Sequence, residues 1–326
     1  MALQNRKGAT ATRTGDSGPA ARPGKAARAR VERLDWDLVR VFLAVARTGR
    51  LAAAAGVSGV DVSTVSRRLD RLEAELGVAL FERSTTGVAL TAAGERLVPA
   101  ADEMAQAMGR LGVALDAVEA EAEGVVRLTA PPGVADAFVA PALARFHARH
   151  PRVRIDLDAS VGYADLGRGE ADLALRVRRP ERGDLVAQRL VTTRSVPATT
   201  PAYADELGPV RELGRARWIA WGNELAEIPE ARWLATHVAV APVLRTSSFA
   251  AQLAAAAGGL GVVLAPEPYL GRFGLAPVRP GRGLAKAWAA LPVGELWLCS
   301  AAASRRVPRV AAMWQFIVDE LTRPWG

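Results

Sequence analysis

The sequence predicts two kinds of fold in one chain. An all-α helix-turn-helix region with a hairpin wing comes first, and an α/β region follows beyond one long helix. Three observations predict this. Apolar residues recur at helical spacing through successive stretches between Leu34 and Leu76. A heptad seam runs from Leu97 to Ala122. After Gly124, short apolar runs alternate with helical patterns, which argues for a sheet covered by helices.

The N-terminal elements are organised around Val60–Leu76, V-D-V-S-T-V-S-R-R-L-D-R-L-E-A-E-L. Val65, Leu69, Leu72 and Leu76 form one apolar stripe of a helix. Ser63, Thr64, Ser66, Arg67, Arg68 and Arg71 lie off it. Small hydroxyl residues at a helix start, followed by arginines, suit a DNA major groove, where amides and Arg hold phosphates and Ser, Thr and Arg reach base edges. A surface helix with solvated arginines is the plainer alternative. What precedes it favours the first reading. Leu34, Leu38, Val41, Phe42, Val45 and Ala46 give a helix ending near Gly49, and Leu51–Ala55 gives a short second one. Gly56 and Gly59 then supply the turn into the third helix. Gly77–Thr91, with two apolar runs around S-T-T-G, reads as the hairpin.

The text L-D-W-D-L-V-R-V-F-L-A-V-A-R-T-G, then S-T-V-S-R-R-L-D-R-L-E-A-E-L-G-V-A-L-F-E-R, then L-T-A-A-G-E, in this order and spacing, resembles the N-terminal domain of LysR-type transcriptional regulators. The resemblance covers Leu34–Leu97. It implies a winged helix-turn-helix, a dimerising linker helix and a ligand-sensing domain, with Arg83 of the wing joining the DNA contacts. Three departures stand out. Val62 replaces a usual Gln or Pro, Ser58 replaces an apolar residue beside the turn, and the second helix has Ala and Gly where longer side chains are usual.

The expected organisation is therefore a basic, disordered tail over Met1–Arg33, a DNA-binding domain over Leu34–Leu90, a linker helix over Thr91–Gly124 and an effector domain over Val125–Gly326. The tail carries eight basic and two acidic residues, whereas Leu34–Leu90 is not basic overall. Its arginines must therefore gather on one face, with Glu73, Glu75 and Glu82 pointing elsewhere. In the linker, Thr91 can cap the helix and Pro99 falls within it. Leu97, Ala101, Met104, Met108, Leu111, Leu115, Val118 and Ala122 step by 4, 3, 4, 3, 4, 3, 4, which suits pairing with a second chain.

Strands are expected at Val125–Ala130, Val153–Leu157 and Gly169–Val177, with a loop at Pro131–Gly133 and a helix over Ala135–His150. Leu185–Pro197 reads as crossing strands. A second unit begins at Trp218–Trp221, with helices at Pro229–His237 and Ser247–Ala257, strands at Val243–Thr246, Gly258–Pro266 and Glu295–Ser300, and a last helix at Val307–Leu321. This pattern resembles the two-lobed, periplasmic-binding-protein-like effector domain of the same family.

Ligands of open α/β sheets gather beyond the carboxyl ends of the strands. That selects Pro132 and Gly133, Gly162 with Tyr163, Arg176 and Arg178, with Trp221 beside Gly222 and Asn223. Ser247 and Ser248 add a helix N-terminus able to hold a carboxylate. The resemblance points to the same loops, and Gly133 stands where the family usually has Ser or Thr. Surface charge and plain capping are the alternatives for these arginines and serines.

No P-loop, G-x-S-x-G, H-E-x-x-H or dinucleotide fingerprint occurs, which argues against an enzyme. No metal ligand set or cofactor is expected. The single Cys299 excludes an intrachain disulfide, and no run of 18 apolar residues suggests a membrane span. The formal charge of +8 favours anionic partners. The expected partners are double-stranded DNA, a small-molecule effector read as an organic anion, and further copies of the chain as homodimer or homotetramer, in the cytoplasm. Two rivals remain at this level: an enzyme that kept the two-lobed fold, and an architectural DNA binder without a ligand.

Overall fold

The computed structural model describes residues 34–84, 87–116, 121–160, 164–180 and 184–323. The basic tail, Gly162, Tyr163 and Val118 lie outside them. The backbone contacts divide the chain into two compact units, with the division after Met104. No helix among the described residues is long and apolar enough to cross a membrane.

In the first unit, α1 (Trp36–Thr48) starts on the Asp35 carboxylate, which accepts the Asp37 N–H at 2.9 Å. It ends on Gly49, whose φ of 64° is the left-handed conformation that glycine adopts most readily. Helix α2 (Leu51–Ser58) is longer than its apolar pattern suggests, because Gly56 continues the helix and only Gly59 ends it. Helix α3 spans Val62–Leu76, starting two residues later than expected, since Asp61 is its N-cap. Val65, Leu69 and Leu72 are buried as the stripe requires, together with Val41, Phe42, Val45 and Ala54. Each such large side chain contributes about 1.5–3 kcal/mol on burial.

The expected hairpin is present as β1 (Phe81–Ser84) and β2 (Gly87–Leu90), paired antiparallel from Phe81↔Leu90 to Ser84↔Gly87. It is fixed to the helices at three points. The Val88 N–H donates to the Gly49 carbonyl at 3.1 Å. Phe81 packs on Phe42, with ring centroids 5.4 Å apart. The Glu73 carboxylate accepts the N–H groups of both Leu80 and Phe81, at 2.6 and 3.0 Å. Glu73 therefore turns away from any groove-facing surface and pins the wing. Glu73→Ala leaves two backbone donors unmatched, each costing about 1–3 kcal/mol. A fall of that order in the urea unfolding free energy of the N-terminal unit is expected, and unchanged unfolding would show that the contact is idle.

Helix α4 (Ala92–Asp116) follows, with Thr91 Oγ1 accepting the Gly94 N–H at 3.1 Å. Gly94 is obligatory, because a Cβ there would stand 2.3 Å from the Leu80 carbonyl oxygen. Ala122 lies beyond the helix in a bend, so the seam does not reach it as helix. Along α4, Ala101 is buried, but Met104, Met108 and Leu111 are exposed.

In the second unit, strands β3 (Gly124–Thr129), β4 (Val153–Asp158) and β5 (Leu173–Arg176) are parallel, with β3 in the middle. The segment between β3 and β4 is helical from Pro132, earlier than expected. Proline suits the first helical position, so Pro132 and Gly133 form a helix start rather than a loop. A π-turn at Ala135–Val139 interrupts the run before α5 (Ala140–Arg149).

Leu185–Thr199 is one continuous strand, β6, rather than several. Its first part pairs with the late strand β11 (Val293–Ala301), with a register shift between Leu296 and Trp297. Its last part pairs with β9 (Val263–Pro266) and β10 (Ala276–Pro277). One strand thus serves both lobes. Helix α6 (Pro201–Leu207), strand β7 (Ile219–Trp221), α7 (Pro229–His237), β8 (Leu244–Thr246) and α8 (Phe249–Ala257) build the second lobe, with β7 parallel to β8. The closing helix α9 (Pro308–Leu321) buries Val310, Met313, Trp314 and Ile317 against the first lobe. The core is continuous between the lobes: Val126, Leu128 and Phe146 share a cluster with Ile219, Leu253 and Val263.

Candidate functional site

The start of α3 is built around Asp61. Its carboxylate accepts the Thr64 N–H at 2.8 Å, the Ser63 hydroxyl at 2.6 Å and the Thr64 hydroxyl at 2.8 Å. These bonds, that from Ser63 foremost, hold the carboxyl far below the usual carboxylate range. A depressed pKa stabilises the fold above the unfolded value and loses that contribution only as pH falls through the folded one. The cap is therefore fully charged at neutral pH.

The predicted DNA-contacting residues divide into two groups. Ser63 and Arg67 are exposed, and Ser66 is half-buried on the same helix. The Arg67 guanidinium donates to Thr64 Oγ1 at 3.2 Å, which lays it along the first turn. Thr64 is half-buried, with its hydroxyl proton on Asp61. Arg68 instead meets Asp37 at 3.2 Å. Arg71 donates to Glu75 at 2.8 Å and lies 4.0 Å from Asp35. Acids at the start of α1 and on α3 thus balance Arg68 and Arg71. Glu75 lies beside Arg71, one of the expected arginines, so it does not point away from them as the charge count would require. The side chain of Arg83 lies outside the described residues, although its backbone belongs to β1.

The second region lies between the lobes. The first-lobe helix start at Pro132–Gly133 meets the second lobe at Phe249, the first residue of α8. A Cβ on Gly133 would stand 2.7 Å from Phe249 Cδ1 and 3.3 Å from the Tyr269 hydroxyl. Only glycine leaves room for this ring, which accounts for the missing hydroxyl residue. Phe249 stacks on Trp221, with centroids 5.7 Å apart and planes 16° from parallel. Its other neighbour is Tyr269, edge-on at 5.0 Å, and Tyr269 in turn meets Phe138 at 4.8 Å. The π-turn carries Phe138 into this row, and π-turns recur at functional sites.

One buried polar group in the row has no acceptor among the described residues. Trp218 and Trp233 give their indole N–H groups to the carbonyls of Leu213 and Ala287, whereas the buried Trp221 Nε1 has no acceptor. Tyr269 is only 6% exposed. Burial, with Asp136 nearby, pushes the phenol well above its ordinary pKa, so it stays a neutral donor. Buried donors without acceptors are rare and costly, by about 1–3 kcal/mol each.

The other predicted effector residues are placed differently. Ser248 caps α8, its Oγ accepting the Ala251 N–H at 3.2 Å, and Ser247 beside it is exposed. Arg178 is exposed beyond β5. Arg176 donates to the Ala164 carbonyl at 2.8 Å, within the first lobe. Gly133 and Trp221 therefore meet at Phe249, directly after the Ser248 cap, whereas Arg176 is held within the first lobe and, among the described residues, no hydrogen bond or ion pair joins Arg178 to Ser247 or Ser248. Phe249, Tyr269 and Phe138 were missed. The available signal was the small residue at 133 opposite a large one directly after the serines.

Two family models match the chain. Residues 36–95 match the bacterial regulatory helix-turn-helix protein model of the lysR family, and residues 119–322 match the LysR substrate binding domain. The HTH-type transcriptional regulator PtxR of Pseudomonas aeruginosa is 34% identical over 200 residues, 60% of this chain and 63% of that protein. An HTH-type transcriptional regulator of Xanthomonas campestris is 33% identical over 174 residues, 53% of this chain and 51% of that protein. The chain thus spans roughly half to two thirds of the length of these curated relatives. The structure of CrgA, a LysR-type transcriptional regulator from Neisseria meningitidis, shares the fold at 23% identity and a TM-score of 0.51, covering 89% of this chain and 100% of that one. The virulence activator AphB of Vibrio cholerae does so at 17% identity and a TM-score of 0.52, covering 88% and 100%. With an N-terminal helix-turn-helix and a C-terminal α/β substrate-binding domain both matched, the chain belongs to the LysR family of transcriptional regulators.

Proposed function

We propose that this protein regulates transcription by binding specific DNA through α3 and the wing, under control of a small molecule held between the lobes of its second region. The domain division follows the sequence expectation: DNA binding over 34–90, a linker helix over 91–124 and effector binding over 125–326. The observation that carries the reading is the sorting of charge on α3. Arg67 and Ser63 are exposed on its first turn, while Arg68 and Arg71 are turned onto Asp37, Asp35 and Glu75. A helix start with one presented arginine suits a groove edge flanked by phosphates.

The exposed methionines and Leu111 on α4 support pairing with a second copy as homodimer, or as homotetramer built from such pairs. Two chains would then present two α3 helices to two half-sites. A ligand that favours one arrangement of the lobes shifts the population of dimers able to reach both half-sites. The effector is a small organic molecule. The reading as an anion draws on the exposed Arg178 and on the α8 start at Ser247 and Ser248. The test is a titration of genomic fragments by the full chain at fixed salt. A few fragments bound at least a hundredfold more tightly than the rest support the proposal, and uniform binding refutes it.

A further inference from the structure

The row of rings between the lobes is more specific than a generic effector cleft. We propose that Phe249 is the gate of this site, and that the effector is a planar aromatic molecule bearing hydrogen-bond acceptors that takes the Phe249 ring's place between Trp221 and Tyr269. The inference rests on the effector-domain reading above.

The Phe249 ring already occupies a flat slot. Trp221 offers a stacking face 16° from parallel, and Tyr269 closes the other side edge-on. A planar ring is the shape this slot fits. The stacking partner Trp221 also carries a buried indole N–H without an acceptor, which the Phe249 ring cannot supply. A ring with oxygen substituents can satisfy that donor, where the phenyl ring cannot. Gly133 adds space that a side chain would have filled. Charge is a weaker recogniser here, because the Arg176 guanidinium is already hydrogen-bonded to the Ala164 carbonyl.

The gate can move cheaply. Phe249 is the first residue of α8 and half-buried, so its side chain can rotate outward without breaking a helical hydrogen bond. The ligand must displace that ring, and the apparent affinity of the intact protein is lowered by the fraction of time the gate is closed.

The test uses the full chain with two probes, coumarin (planar, neutral, two oxygen acceptors) and succinate (anionic, not planar). Binding is read by thermal shift and by tryptophan fluorescence. Phe249→Ala should bind coumarin at least tenfold more tightly than the unmodified chain. Adding Trp221→Phe, which keeps the stacking face and removes the N–H, should abolish most of that gain. Succinate should shift neither protein. If Phe249→Ala does not fold, Phe249→Val serves instead, since it removes the ring, keeps an apolar side chain and should give a gain in the same direction. A folded gate variant with no gain for coumarin, or stabilised by succinate and not by coumarin, overturns the proposal. Fragment binding to DNA is measured on the same preparations. Loss of coumarin binding with specific DNA binding intact strikes the gate alone, and absence of specific DNA binding strikes the regulatory reading.

Discussion

Leu111→Asp should convert the protein from dimer to monomer at micromolar concentration and weaken its DNA binding by about 10²–10⁴-fold. Leu111 is 55% exposed on α4, so the substitution costs little within one chain. In a paired seam the same residue is buried, and a two-fold interface introduces the carboxylate twice. A buried unpaired charge costs several kcal/mol even after relaxation. The DNA effect follows from geometry. Two linked helix-turn-helix units bind the second half-site at an effective concentration near millimolar, an advantage that a monomer lacks. Sedimentation at falling concentration checks the first part and half-site titration the second. A variant that stays dimeric would show that α4 is not the main interface.

Arg67→Ala should weaken operator binding by about 5- to 150-fold per half-site, corresponding to about 1–3 kcal/mol for a base contact, without altering the fold. Arg67 is exposed, and its hydrogen bond is to Thr64 on the same helix turn. Arg68→Ala is the contrasting substitution. Its partner is Asp37, at 3.2 Å on a partly exposed surface. Removing it should cost the fold about 0–1 kcal/mol and change DNA affinity far less than removal of Arg67. Equal losses from both would place the contact in general phosphate attraction, and the salt dependence would then fall with each charge removed.

The helix ends of the first unit were legible because Gly49, Gly59 and Gly77 all take positive φ where the apolar periods stop. The apolar stripe of α3 was legible for the same reason: period is a property of the sequence. The role of Glu73 was not. A glutamate on a helix reads as solvated, and only the fold brings Leu80 and Phe81 back to its carboxylate. Strand boundaries blurred where one strand serves two lobes, since the residues of Leu185–Thr199 change neighbours halfway along. In the second region, topology selected loops but not the side chains that fill them. Arg176 stands at a strand end, yet its guanidinium turns to the Ala164 carbonyl. Ser247 and Ser248 drew attention as a cap, while the next residue, Phe249, fills the space opposite Gly133. A ring partner across two lobes leaves no period and no spacing to read.

The most direct test of the central claim is to select DNA from the genome with the purified full chain at fixed salt and sequence what is retained. The expected result is fragments that share two related half-sites separated by whole turns of the double helix, with affinity lost on Arg67→Ala. Retention of fragments without a common sequence, all released alike as salt rises, would contradict it.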